Sequence, residues 1–213
     1  MQSFYPDFFK LSPEWTSFFY NDEMDEILSA ISSSICSRQY FPNIENVFRC
    51  FYLTPFENVN VVFVGRQPYR DGSATGLCFD IKLGHIINPF VQTIYKEIEG
   101  EGFYPTKNGN FEHLATQGVL MINAALTVGK DDTHTNIWDP FFKEVLKKLS
   151  MKDNIIWVVF GDVGDDIAQY KNCITNQTHS VVEAPIEKDM IGSGLFKRIN
   201  HLLKNVGKEK ISW

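Results

Sequence analysis

Four short apolar runs constrain this chain more than any other feature: Asn60–Gly65, Gly118–Asn123, Ile155–Gly161 and Ser180–Glu183. They are continuous and rich in Val and Ile, the pattern of strands covered on both faces. Helical patterns fall between them, at Pro89–Glu99, Phe111–Thr116, Asp139–Leu149 and Gly164–Tyr170, and Phe196–Lys204 follows the last strand. Strands alternating with helices predict an α/β fold, an α/β/α sandwich around a central four-stranded parallel sheet with right-handed crossovers. A further helix is expected over Trp15–Ile35, with Asp22, Glu23, Asp25 and Glu26 on a solvated side. There is no internal repeat and no long linker. Residues 1–213 therefore read as a single domain, with an N-terminal helical part over 1–45 and a core over about 41–205.

Composition narrows the class. An apolar content of 44% with 18 Phe suits a packed, aromatic-rich core and excludes disorder. No apolar run is long enough to span a bilayer, and MQSFYPDFFK lacks the charged-then-apolar order of a signal peptide. Cys36, Cys50, Cys78 and Cys173 are scattered without ligand spacing, so they read as free thiols of a cytoplasmic protein. No metal or other cofactor is expected, and Asp162, Asp165 and Asp166 read as solvated acids. A net charge of −6 argues against strong phosphate binding, because neutralising phosphates takes Lys and Arg.

In an open α/β sheet, ligands sit beyond the carboxyl ends of the strands. That rule selects the segments after Gly65, Asn123, Gly161 and Ala184 and predicts that they converge. Alone, Gly65-Arg66-Gln67-Pro68-Tyr69-Arg70 is ordinary strand-to-loop punctuation. It is followed, however, by Gly76-Leu77-Cys78-Phe79, and the second strand ends in Asn123-Ala124-Ala125-Leu126-Thr127-Val128. In this order and spacing the chain resembles the uracil-DNA glycosylases, whose water-activating loop is Gly-Gln-Asp-Pro-Tyr-His followed by Gly-Leu-x-Phe. The similarity runs from about Phe41 to Asn200. It includes Ile94-Tyr95-Lys96-Glu97, Gln117-Gly118-Val119-Leu120 and a final Ile211-Ser212-Trp213.

The resemblance implies a pyrimidine slot. Phe79 matches the ring on which extruded uracil stacks, Asn123 the amide that binds the uracil edge, and Tyr69 the ring that crowds C5 and rejects thymine. Two positions depart from the family. Gln67 stands where the family has Asp, and an amide neither takes a proton nor offsets cationic charge on the sugar. Ile186 stands where the family has a His that donates to the leaving base, a loss that typically costs ~10²–10³ in rate.

Phosphate contacts depart as well. Lys188, between Glu187 and Asp189, replaces a Ser, and the minor-groove loop is shortened to Met190-Ile191-Gly192-Ser193. Phe90 in Asn88-Pro89-Phe90 also replaces a Ser. Arg66 and Arg70 add charge that can serve a partner or pair with Asp71 and Asp80, and His134 falls where the family approaches the DNA backbone.

The expectation from these departures is a pseudo-glycosylase that binds without base excision. Its partner would be a protein, such as an acidic DNA-mimic inhibitor or a repair or replication factor, with DNA binding weak or absent. The alternative is a slow or altered glycosylase in which Gln67 positions the water. An unrelated nucleotide-binding module is disfavoured because no phosphate-cradling glycine signature occurs.

Overall fold

The computed structural model describes residues 4–35, 39–160, 176–185 and 189–213. Strands β2 (Val61–Gly65), β3 (Val119–Asn123), β5 (Ile156–Phe160) and β6 (Ser180–Ala184) form one parallel sheet in the order β3-β2-β5-β6. β1 (Tyr40–Phe41) and β4 (Val128–Gly129) form an antiparallel pair.

Side chains alternate across the central sheet. Val62, Val64, Leu120, Ile122, Trp157 and Val159 face a layer containing α1 (Pro13–Phe19), α2 (Asp22–Ile35), α3 (Arg49–Leu53) and α6 (Thr135–Ser150). Val61, Phe63, Met121, Val158 and Phe160 face α4 (Pro89–Gly100), α5 (Glu112–Ala115) and α7 (Leu195–Asn205). The three-layer α/β/α arrangement is the predicted one. Its first layer is held by rings meeting edge to face, among them Trp15 on Phe51 at 4.9 Å and Trp138 on Phe141 at 5.3 Å.

Three local features differ from expectation. The helix predicted over Trp15–Ile35 is two helices, because the Asn21 side chain accepts from the Met24 amide at 3.0 Å and starts α2 afresh. α6 begins at Thr135, upstream of the expected Asp139, and carries Pro140 inside it. The β1–β4 pair was not foreseen, since strands of two residues show no periodicity. The helical pattern over Gly164–Tyr170 lies outside the described residues.

Topology fixes where a ligand fits. β2 leads to β3 on one side and β5 leads to β6 on the other, so the connections diverge between β2 and β5. That divergence opens a crevice above Gly65 and Phe160, at the carboxyl ends of the two strands.

Two further arrangements hold this frame. On α4, Glu97 accepts from the Gly192 and Gly194 amides and from Ser193 Oγ, while Glu101 accepts from the Phe196 and Lys197 amides. These carboxylates satisfy orphan N–H groups at the start of α7. Midway along α7, Asn200 exchanges two hydrogen bonds with Ile211, at 2.9 and 2.8 Å. Gln117 does the same with Ser212, at 3.0 and 2.8 Å. The two amides seat Trp213 flat against Phe63, with centroids 6.0 Å apart, and edge-on to Phe196. Among the described residues, no helix is long and apolar enough to cross a membrane.

Candidate active site

Gly65 and Asn123 end their strands in register, and the ladder continues one step further through Ala124 N to Gly65 O at 2.8 Å and Ala125 N to Arg66 O at 3.0 Å. A Cβ at residue 65 would overlap the Asn123 amide oxygen and crowd Cys78 Cβ. Only glycine lets this amide lie across the end of β2. Asn123 is 6% exposed, and its side chain makes no hydrogen bond among the described residues. At the carboxyl end of β3, this amide is placed to meet a polar group that enters the crevice.

Phe79 forms a wall of the crevice. Its backbone is left-handed, with φ of 65°, a conformation that costs about 1–3 kcal/mol and persists where the surroundings enforce it. They do so here. The adjacent Cys78 amide is tied to Met121 O at 3.1 Å, and Asp80 is buried while accepting from Thr75 Oγ1 and the Phe111 amide. The Phe79 ring packs on Phe160 at 4.7 Å and on Phe90 at 5.2 Å and remains partly exposed. Phe90 thus backs the stacking ring. Tyr69 packs against the same core, its hydroxyl buried without hydrogen-bonding geometry to nearby Asn88; burial pushes its pKa up to about 12, so it stays protonated.

Gln67 sits half-buried on the loop after β2, and Thr133 Oγ1 lies 2.9 Å from Gln67 Oε1. A second tie joins the same two loops, from Arg70 Nη1 to Lys130 O at 3.4 Å. The loop after β4 is pegged from below by His134. This imidazole is fully buried, with Nδ1 2.9 Å from Thr127 Oγ1, which also accepts from Trp138 Nε1 at 2.7 Å, and with Nε2 3.7 Å from Asp132 Oδ1.

Gln67, Tyr69, Phe79 and Asn123 therefore all lie on segments at the carboxyl end of the sheet, with exposed Arg66 and Arg70 on the same loop. Other expectations need correction. His134 and Met190 are not presented to a partner: both side chains are fully buried, His134 as the loop's peg and Met190 within the core under α4 and α7. Asp80 pairs with Arg49, at 3.8 Å, and Asp71 binds Ser73. Ile186, Glu187, Lys188, Asp162, Asp165 and Asp166 lie outside the described residues, as do Cys36 and Cys173. Thr133 was missed altogether, because a lone threonine in a polar loop carries no signal of its own.

No family model matches the chain. Curated relatives do. It is 34% identical over 209 residues to a uracil-DNA glycosylase of Aliivibrio salmonicida, covering 92% of this chain and 90% of that protein. It is 32% identical over 214 residues to one of Lactobacillus acidophilus, covering 95% and 89%. Among solved structures, mimivirus uracil-DNA glycosylase superposes with a TM-score of 0.83 at 21% identity, over 96% of this chain and 88% of that one. The UNG of Nitratifractor salsuginis gives 0.63 at 16%, over 86% of each. These two share the fold.

The relatives overturn the expectation of a pseudo-glycosylase. That expectation weighed two side chains, Gln67 and Ile186, against a frame retained over nearly the whole chain. The structure adds that Gln67 is tethered at the mouth of the crevice. Taken with this geometry, identity of 34% across 92% of its length places the chain in the uracil-DNA glycosylase family.

Proposed function

We propose that this chain hydrolyses the N-glycosidic bond of uracil in DNA, with Gln67 positioning the water. The observation that carries the proposal is the Asn123 amide, 6% exposed and set across the side-chain-free Gly65 at the carboxyl end of the sheet. Uracil presents an N–H flanked by carbonyl oxygens, and a carboxamide meets that edge with one acceptor and one donor. Phe79 supplies the stacking face, and Tyr69, neutral because burial raises its pKa, supplies a wall without charge.

In the reaction the C1′–N1 bond breaks and its electron pair leaves with the base. The water oxygen bonds to C1′, and the proton it loses passes to solvent. Gln67 accepts no proton at neutral pH. Its contribution is orientation of the water by a neutral amide whose own position is held by the hydrogen bond that Thr133 donates to it. Uracil release from single-stranded uracil-DNA at high enzyme concentration tests the reading: free uracil and an abasic strand are expected. A folded protein that liberates none, beside a gel shift that detects no uracil-strand binding, sinks it.

A protein ligand of the same face is the second reading. The fold is shared with a mimivirus UNG solved in complex with UGI, and exposed Arg66 and Arg70 suit a carboxylate-bearing surface. Such a ligand is expected to block uracil release competitively. Cys50 and Cys78 are buried free thiols, which supports placement in the reducing cytoplasm.

A further inference from the structure

We infer that Asp80, through the buried charge pair it makes with Arg49, is a positioning residue for the stacking ring of Phe79; this rests on the glycosylase reading above. Asp80 follows Phe79 directly, and its side chain is fully buried. Oδ1 accepts from the Phe111 amide just before α5. Oδ2 accepts from Thr75 Oγ1 and lies 3.8 Å from Arg49 Nη1 on α3. Arg49 in turn donates from Nη1 to Thr75 O at 3.3 Å and pairs through Nη2 with Glu112 of α5. One carboxylate thus ties the Phe79 loop to α3, to α5 and back upon itself at Thr75.

Burying a charge is costly unless hydrogen bonds and an opposite charge replace the lost water. Here those partners converge beside a strained residue. A ring-bearing residue keeps a φ of 65° only under constraint, and backbone ties hold both flanks, Cys78 N to Met121 O at 3.1 Å and Ile81 N to Gly109 O at 2.8 Å. The loop also presses closely on α3: a Cβ at Gly76 would overlap Asn46 O and crowd Arg49 Cβ. Residue type matters as much as place. A carboxylate offers an oxygen to each of two donors and balances the guanidinium, whereas an amide has a single oxygen and no charge. Without this anchor, Phe79 is expected to relax to negative φ, carrying its ring off Phe160 and Phe90.

The test compares the wild type with Asp80→Ala, Asp80→Asn, Phe79→Ala and the Phe79→Ala/Asp80→Ala double variant. Single-turnover uracil release from a uracil-containing single strand is measured at saturating enzyme. Asp80→Ala is expected to slow release roughly tenfold, the scale of a lost base–ring stack, with affinity for a strand lacking uracil unchanged. Asp80→Asn, of nearly the same shape and with one oxygen left for the Phe111 amide, should fall between the wild type and Asp80→Ala. In the Phe79→Ala background Asp80→Ala should have no further effect. Equal slowing in both backgrounds, or no slowing at all, overturns the role.

A second readout needs no turnover. The ring resonances of Phe79, assigned by their loss in Phe79→Ala, should carry the ring-current shifts of Phe160 and Phe90, whose centroids lie 4.7 and 5.2 Å away. Asp80→Ala should remove those shifts while leaving the resonances of Phe51, in the opposite layer, in place. Phe79 resonances indifferent to Asp80→Ala, or Phe51 resonances lost with them, overturn the positioning role. A wild type that frees no uracil yet shows this resonance pattern overturns the glycosylase reading alone.

Discussion

A methyl group at residue 65 would occupy space that the Asn123 amide oxygen now fills. Gly65→Ala is therefore expected to displace that amide, lowering uracil release by at least tenfold while costing about 1–3 kcal/mol of stability, read from single-turnover rates and urea midpoints. A second expectation concerns Gln67. Because its amide does not titrate, wild-type release should lack a pKa assignable to residue 67 in the acid range, whereas Gln67→Asp should add an acid limb near the carboxylate pKa and raise the neutral rate. A rate profile identical in the two proteins would show that residue 67 does not face the reacting centre. At this scale the sequence was informative where a residue type has few alternative uses. Asn123 at a strand end and Phe79 after Gly-Leu-Cys were readable. His134 was not, because burial depends on Thr127 and Trp138 closing over it, and those contacts have no local sequence pattern.

Among the elements, α4 is joined to α7 by two carboxylates: Glu97 holds residues 192–194 and Glu101 holds the first turn of α7. Burial alone would raise the pKa of Glu97, but the Gly192 and Gly194 amides and Ser193 outweigh it and bring the pKa below its ordinary 4.5. A carboxyl group depressed in the folded state contributes stability that is present above the unfolded pKa and disappears as pH falls through the folded one. The stability gap between wild type and Glu97→Gln should accordingly be widest near neutrality and shrink below about pH 4.5, followed by denaturant midpoints across pH. A gap independent of pH would refute this. The sheet was legible because Val-rich strands state their burial on both faces. The break at Asn21 was not, since the apolar spacing of α1 and α2 runs on as though through one helix and only the Asn21–Met24 hydrogen bond reveals the new start.

For the whole molecule, the balance of charge sets how DNA is held. With net charge −6, the cations at the mouth of the crevice are few, Arg66 and Arg70 foremost. Three phosphate contacts on a single strand would give a slope of roughly −2 in log affinity against log salt. Titration of a catalytically impaired Asn123→Ala variant with a labelled strand at several salt concentrations measures that slope. A value several-fold steeper would require a basic surface beyond this crevice. Trp213 ties the two ends of the second layer together, lying on Phe63 of β2 and against Phe196 of α7. Trp213→Ala should cost about 3–5 kcal/mol in urea unfolding.

One small feature governs the reacting centre from a distance. Gly129 ends β4, and any side chain there would strike the Asp132 carboxylate and press on the His134 ring. A side chain here must displace the Asp132 carboxylate and crowd the His134 ring, and is expected to loosen the loop whose Thr133 donates to Gln67, although residue 129 belongs to none of the pocket walls. Screening for impaired base release should therefore yield lesions at this glycine, in proteins whose uracil slot is otherwise undamaged.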